Sequence, residues 1–130
     1  MVADMKTIIR PARAAAAVGP YNHAVRSGDL LFCSGQIPLD PATGQLVAGD
    51  IRAQTERVLE NIKVILEDQG LGFGHVLKST VFMTQLGDFA AMNEVYQRYF
   101  SGEYPARSTV QVAALPRGAQ VEIEVVASYV

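Results

Sequence analysis

Hydrophobic residues recur with period two toward the C-terminal end of the chain. In Pro105–Val130, PARSTVQVAALPRGAQVEIEVVASYV, two alternating runs flank the Pro/Gly connection Leu115–Gly118 and predict two β-strands. Alternation places Arg107, Thr109 and Gln111 on one face of the first strand and Ser108, Val110 and Val112 on the other. In the second, Glu122, Glu124 and Val126 lie opposite Val121, Ile123 and Val125. The expectation is an otherwise apolar sheet whose polar face bears one arginine and two glutamates, able to hold a small carboxylate and move a proton beside it. Alternation does not decide whether these strands pair with each other or flank a third.

A helical period appears twice. After Asp50, a good N-cap, Ile51, Thr55, Val58, Leu59, Ile62, Ile65 and Leu66 recur at helical spacing, and Gly70 suits the position past the C-terminus. A second helix, capped by Asp88, is predicted over FAAMNEVYQRYF, with Phe89, Met92, Val95, Tyr96, Tyr99 and Phe100 as a core stripe. Between them, Val76–Thr84 reads as a strand rich in β-branched residues. Near the start, Thr7–Ile9 favours β structure, and Ala24–Arg26 and Leu30–Ser34 predict a hairpin around Ser27-Gly28-Asp29, with Gln45–Val47 as a further short strand. Leaving the N-terminal piece aside, the order is ββ(β)αβαββ. Two amphipathic helices can share one sheet face, which predicts an α+β two-layer sandwich over a single domain, residues 1–130. The other sheet face has no helix to cover it yet carries apolar residues, so burial against other copies of the chain is expected.

Composition narrows the function classes. Hydrophobic residues make up 49% of the 130 residues and charged ones 18%, enough for a substantial core and consistent with a partly covered surface. A net charge of −2 argues against broad electrostatic binding of nucleic acid. The single Cys33 excludes an internal disulfide and fits a reducing cytoplasm. No apolar run approaches a membrane span, and the start, MVADMKTIIR, has no signal-peptide core with a cleavage site, so cytoplasmic residence is expected. His23 and His75 are too few and too far apart in sequence to suggest a metal site.

Five motifs then coincide. Gly19-Pro20-Tyr21, Ser34-Gly35-Gln36, Asp88-Phe89 with Met92-Asn93, Pro105-Ala106-Arg107-Ser108 and Val121-Glu122-Ile123-Glu124 stand in the order and spacing of the Rid proteins. These are the reactive-intermediate deaminases, also called the YjgF or RidA family, and the chain resembles them from about Thr7 to Tyr129. The resemblance implies a chorismate-mutase-like (YjgF-like) α+β fold with a mixed β-sheet. It also implies a homotrimeric barrel with helices outside and active sites between subunits. The implied activity is RidA-type, that of a 2-iminobutanoate/2-iminopropanoate deaminase: hydrolysis of 2-imino acids, including 2-aminoacrylate, to 2-keto acids and ammonia. No cofactor is implied, nor a metal, since a protonated iminium is already a good electrophile.

The site residues carried by the resemblance are Tyr21, Gly35, Asn93, Arg107 and Glu122. Arg107 suits a carboxylate because its planar guanidinium grips two oxygens at once. Glu122 is the candidate to deprotonate water and return a proton to the departing nitrogen. Tyr21 closes the cleft and hydrogen-bonds substrate, Gly35 permits close backbone approach, and Asn93, off the apolar stripe of its helix, supports the cleft indirectly. Many bacterial members have cysteine where this chain has Thr109, whose role is then through its backbone. Where the family commonly has glutamine, this chain has His23.

Plainer roles stand beside these. Taken alone, Arg107 reads as an ion-pair partner, Glu122 and Glu124 as a solvated strand face, Tyr21 as a turn aromatic, and Asn93 as a polar helix residue. The resemblance reverses this for Arg107 and Glu122 and leaves Glu124 structural. Cys33 reads as a buried strand residue. Two rival functions are an endoribonuclease or translation inhibitor, disfavoured by the acidic balance and the lack of a histidine pair, and a non-catalytic trimer that binds small carboxylates or acts as a holdase. A pure carboxylate receptor would not need a glutamate beside its arginine.

Overall fold

The structure, a computed structural model, describes residues 6–130; the opening five residues, on which part of the leader reading rests, lie outside them. Six strands and two helices follow the order β1 (Thr7–Ile9), β2 (Ala24–Ser27), β3 (Leu30–Gln36), α1 (Ile51–Asp68), β4 (Val76–Met83), α2 (Phe89–Tyr96), β5 (Ala106–Gln111) and β6 (Val121–Ser128). They form one mixed sheet in the order β1-β2-β3-β6-β4-β5, antiparallel except for the parallel pair β4–β5. The two C-terminal strands do not pair with each other. They flank β4.

Both helices lie on one face. Against them β6 presents Val121, Ile123, Val125 and Ala127, β4 presents Val81 and Met83, and α1 contributes Val58, Leu59, Ile62, Ile65 and Leu66, all buried. Each such Leu or Ile contributes about 1.5–3 kcal/mol, so this α+β two-layer core holds the strands in register. The opposite face is uncovered: Phe32 is 46% exposed and Val110 42%, with Phe82 and Val126 half-buried between them. Among the described residues, no helix is long and apolar enough to cross a membrane.

The ends of α1 follow their sequence signals. Asp50 accepts a hydrogen bond from the Ala53 N–H at 3.0 Å. At the other end Gly70, with φ +70, lets its own N–H reach the Glu67 carbonyl and the Leu71 N–H reach that of Leu66, closing the last turn over buried Leu66 and Leu71.

Four boundaries differ from expectation. The hairpin arms are longer, because the turn contracts to Gly28-Asp29 and Ser27 pairs with Leu30. Gln45–Val47 makes only the isolated Leu39–Leu46 bridge, since Pro38 accepts from the Val47 N–H at 2.9 Å but has no N–H of its own to continue the ladder. Asp88 does not cap α2 with its side chain: it ends a 3-10 turn, Leu86–Asp88, and its backbone (φ −88, ψ 8) lacks the extended geometry a capping side chain needs. Finally, α2 ends at Tyr96 and tightens into a 3-10 turn, Gln97–Tyr99, after which extended Phe100 packs against Tyr96 and Phe73, ring centroids 4.8 and 5.3 Å away.

Candidate active site

The structure separates the sequence-selected residues into two groups. Tyr21, Gly35 and Glu122 line a cleft of about 520 Å³ at one end of the sheet. Asn93 and Arg107 line another, of about 530 Å³, beside α2. The expectation that one arginine and two glutamates share a sheet face is therefore corrected. Arg107 pairs with Ser79 on β4, and Glu122 pairs with Phe82 on the same strand. Ser79 and Phe82 are an odd number of residues apart, so their partners point to opposite faces. Arg107 and Thr109 lie on the helix side, and Glu122 and Glu124 on the uncovered side. Two strand spacings and three residues of rise add to this, placing the two Cα atoms on the order of 14 Å apart with side chains diverging. One chain cannot bring both groups to one small molecule.

Arg107 is held in place from below. Its Nη1 donates to Asn93 Oδ1 at 2.8 Å, and its guanidinium carbon lies 4.8 Å from the Tyr96 ring centroid and 5.5 Å from that of Phe89. The Tyr96 hydroxyl is in turn hydrogen-bonded to buried Ser79 Oγ at 2.7 Å. Burial raises the Tyr96 pKa, while the Ser79 hydrogen bond and the Arg107 charge oppose that rise, so the phenol stays neutral beneath the guanidinium. Phe89, expected in the core, is 39% exposed and serves as a wall beside the arginine. Sequence reasoning missed the second role of Tyr96, read only as core. Its signal was the i, i+3 spacing from Asn93, which puts both on the strip of helix nearest Arg107.

The described ion pairs are Arg13–Glu67 and Arg52–Glu94, both exposed, so neither Arg107 nor Glu122 is neutralised within its own chain. That removes the simple ion-pair role for Arg107 in the isolated chain. Thr109, two residues on, keeps a buried hydroxyl with no partner among the described residues. Its strand, β5, is a sheet edge, so half of its peptide groups have no ladder partner.

Glu122 sits against a bulge. Between Cys33 and Gln36 the register of β3 on β6 shifts, and Gly35 lies in that irregularity. A Cβ on Gly35 would come within 2.8 Å of the Glu122 carboxyl carbon and 3.0 Å of its Cγ. Glycine here is what lets the carboxylate lie flat over the backbone. Burial raises the Glu122 pKa, with repulsion from Glu124 adding to it, so the group holds a proton more readily than an ordinary glutamate. Gly35→Ala is expected to displace the carboxylate and lower kcat/KM by at least about 10-fold, with a stability loss of about 1–3 kcal/mol, readable by steady-state kinetics and thermal melting. Wild-type kinetics in that variant would detach Glu122 from the chemistry.

The Tyr21 ring, 45% exposed, stands at the mouth of the cleft, and its hydroxyl accepts from the Val18 N–H at 3.4 Å. Cys33 is buried and its thiol is pushed up to about 12 by burial, consistent with a structural strand residue. Neither histidine is free. His23 bonds the Ala15 carbonyl and the Gln36 amide, and His75 Nδ1 accepts from the Gly72 N–H at 3.0 Å. Among the described residues, no three His, Cys, Asp or Glu side chains converge as metal ligands.

Known proteins share this fold. The family model described as Endoribonuclease L-PSP matches residues 11–129. Protein DfrA of Myxococcus xanthus is 59% identical over 85% of this chain and 86% of its own. The 2-iminobutanoate/2-iminopropanoate deaminase of Mus musculus is 43% identical over 98% of this chain and 94% of its own. A solved structure from Yersinia pestis, described as a protein of unknown function of the conserved Rid family, superposes with a TM-score of 0.92 at 45% identity, covering 95% of this chain and 98% of that one. The α+β sheet with two helices on one face defines a YjgF-like protein. The chain belongs to the Rid (YjgF/RidA) family.

Proposed function

We propose that this protein hydrolyses reactive 2-imino acids, such as 2-iminobutanoate and 2-iminopropanoate, to 2-keto acids and ammonia, with each site assembled from two copies of the chain in a homotrimer. The observation that carries this is the pair of uncompensated groups on opposite sheet faces. Arg107 is a rigidly held guanidinium, and Glu122 is a carboxylate with raised proton affinity, each opening into its own cleft. The uncovered apolar face supplies the surface on which copies would meet.

In the assembled site Arg107 of one copy grips the substrate carboxylate through its remaining N–H groups, which places the adjacent iminium carbon. Glu122 of the other copy takes a proton from water as the water oxygen bonds to that carbon and the C=N π pair moves to nitrogen. The same carboxyl then delivers the proton to the amino nitrogen. The C–N bond breaks, a hydroxyl lone pair forms the C=O bond, and the hydroxyl proton leaves with the nitrogen as ammonium. Tyr21 closes the mouth of the cleft, and backbone groups at Gly35 and Thr109 hold the substrate in line. A ribonuclease would need a free acid–base pair near phosphate. Both histidines are instead engaged with backbone or amide groups.

Subunit complementation tests this directly. Arg107→Ala and Glu122→Gln chains, each retaining about 1% of activity or less alone, are refolded together in equal amounts and assayed for keto-acid formation from enzymatically generated 2-iminobutanoate. Random assembly puts an intact Arg107 opposite an intact Glu122 in half of a half of the sites, so about a quarter of wild-type activity should return. Mixtures as inactive as their parents would place both groups in one chain's site or outside the chemistry.

A further inference from the structure

Within one chain, the cleft beside Glu122 is larger than a four-carbon substrate needs. Its volume of about 520 Å³ falls in the range that accommodates drug-sized ligands. A four-carbon imino acid, with seven heavy atoms at about 30 Å³ each, fills about 210 Å³. The remainder is walled by Ala14, Ala16 and Val18 from the connection before β2, Ile37 and Leu39 after β3, and Val64 on α1.

Polar side chains around this space are already committed to the chain. Asn61 donates to the carbonyls of Ile37 and Leu39 at 3.3 and 2.9 Å and accepts from Arg57 Nε at 3.1 Å. The Ser34 hydroxyl donates to the Asn22 carbonyl at 2.5 Å. His23 is engaged at both ring nitrogens. A carbonyl can only accept, so Nε2 carries the proton toward Ala15, and Nδ1 accepts from the Gln36 amide at 3.4 Å. The histidine thereby ties the Ala-rich roof to the floor of the cleft. At the rim, Arg13 reaches out to Glu67 at 3.3 Å and Arg117 to the Gly44 carbonyl at 2.7 Å, leaving their aliphatic stems as lining. Beyond this rim the walls are Ala14, Ala16, Val18, Ile37, Leu39 and Val64, where an apolar group gains by burial and a hydroxyl or charge loses water without meeting a partner.

We propose that this space is a side-chain subsite, and that the protein prefers 2-imino acids with apolar side chains longer than ethyl, of branched aliphatic or aromatic type. This rests on the deaminase activity proposed above. Carboxylate and imine carbon stay between Arg107 and Glu122, while the side chain runs under the Ala-rich roof toward Val64. His23 is a positioning residue for that roof. Each added methylene buried in the subsite favours reaction by about fourfold.

The test uses an L-amino-acid oxidase to generate imino acids from leucine, phenylalanine and 2-aminobutyrate, with keto-acid release followed for the full-length protein. The leucine-derived substrate should exceed the 2-aminobutyrate-derived one in kcat/KM by about tenfold. Filling the space with Ala14→Leu, or independently with Val64→Leu, should lower that ratio by at least tenfold. A wild-type preference for the four-carbon substrate, or a ratio unmoved by both substitutions, would overturn the subsite. If no imino acid is turned over, the deaminase activity fails instead. Calorimetric titration with 4-methyl-2-oxopentanoate and 2-oxobutanoate then decides the subsite alone: tighter binding of the longer acid, lost in Ala14→Leu, upholds it, and equal binding sinks it.

Discussion

Replacing Arg107 by alanine is expected to lower kcat/KM for 2-imino acids by about 10³-fold or more while leaving the fold intact. The guanidinium can give a carboxylate two parallel charge-assisted hydrogen bonds, each contributing about 1.5–3 kcal/mol, and it also places the reacting carbon. Within the chain its contacts are one hydrogen bond to Asn93 and two aromatic faces, with no ion pair. Its removal should therefore cost about 1–3 kcal/mol of stability, short of unfolding the core. Arg107→Lys separates charge from geometry. An ammonium retains attraction but not the fork, so this variant should recover only a small part of the lost rate. Single-turnover and steady-state measurements on purified, assembled protein check both, and full activity in Arg107→Ala would end the carboxylate-anchor assignment.

Glu122→Gln should slow the chemical step by about 100-fold or more with little change in KM, since the amide keeps the shape but cannot take a proton. The raised pKa adds two further outcomes. The acid limb of the wild-type kcat/KM profile should lie above the ordinary glutamate value of about 4.3, and it should vanish in the variant. Stability should move the other way. The folded state binds this proton more tightly than the unfolded chain does, so the stability it contributes is complete below the unfolded carboxylate's pKa and is lost as pH rises through the folded one. At pH 7 the ionised, half-buried group costs stability, and Glu122→Gln should melt at or above the wild-type temperature. The difference should close by about pH 4. A variant that is both slow and markedly less stable at pH 7 would mean the carboxylate is structural.

The two outcomes together describe a residue kept at some cost to the fold. Gly35 makes the same point from the backbone side. A glycine inside a strand is a poor choice for stability, yet any side chain there would meet the Glu122 carboxyl.

Much of this was legible in the chain. Periods of 3.6 and 2 located α1, β4 and the two C-terminal strands, because each buries one stripe or face against a single core. Asp50 and Gly70 marked the ends of α1 because the groups they satisfy are local in sequence. Asn93, Arg107 and Glu122 stood out through their motifs. What alternation could not supply was the relation between elements. It gave the facing within each strand correctly, but the shared polar face required β5 and β6 to be neighbours with matched parity. Interposing β4, with Ser79 opposite Arg107 and Phe82 opposite Glu122, turned the two groups to opposite sides. Phe89 and Tyr96 likewise looked alike as apolar helix positions, and only the approach of β5 made them the bed of an arginine.

By itself, then, the sequence determined the elements, the covered and uncovered sides of the sheet, and which side chains are candidates for chemistry. These depend on hydrophobic period and residue type over a few positions. Tertiary structure alone decided that Arg107 and Glu122 face away from each other, and that the glutamate's cleft continues into an apolar space beneath the Ala-rich connection. Both are set by strand order and by a bulge at Gly35, contacts between residues far apart in the chain whose pairing no local pattern encodes.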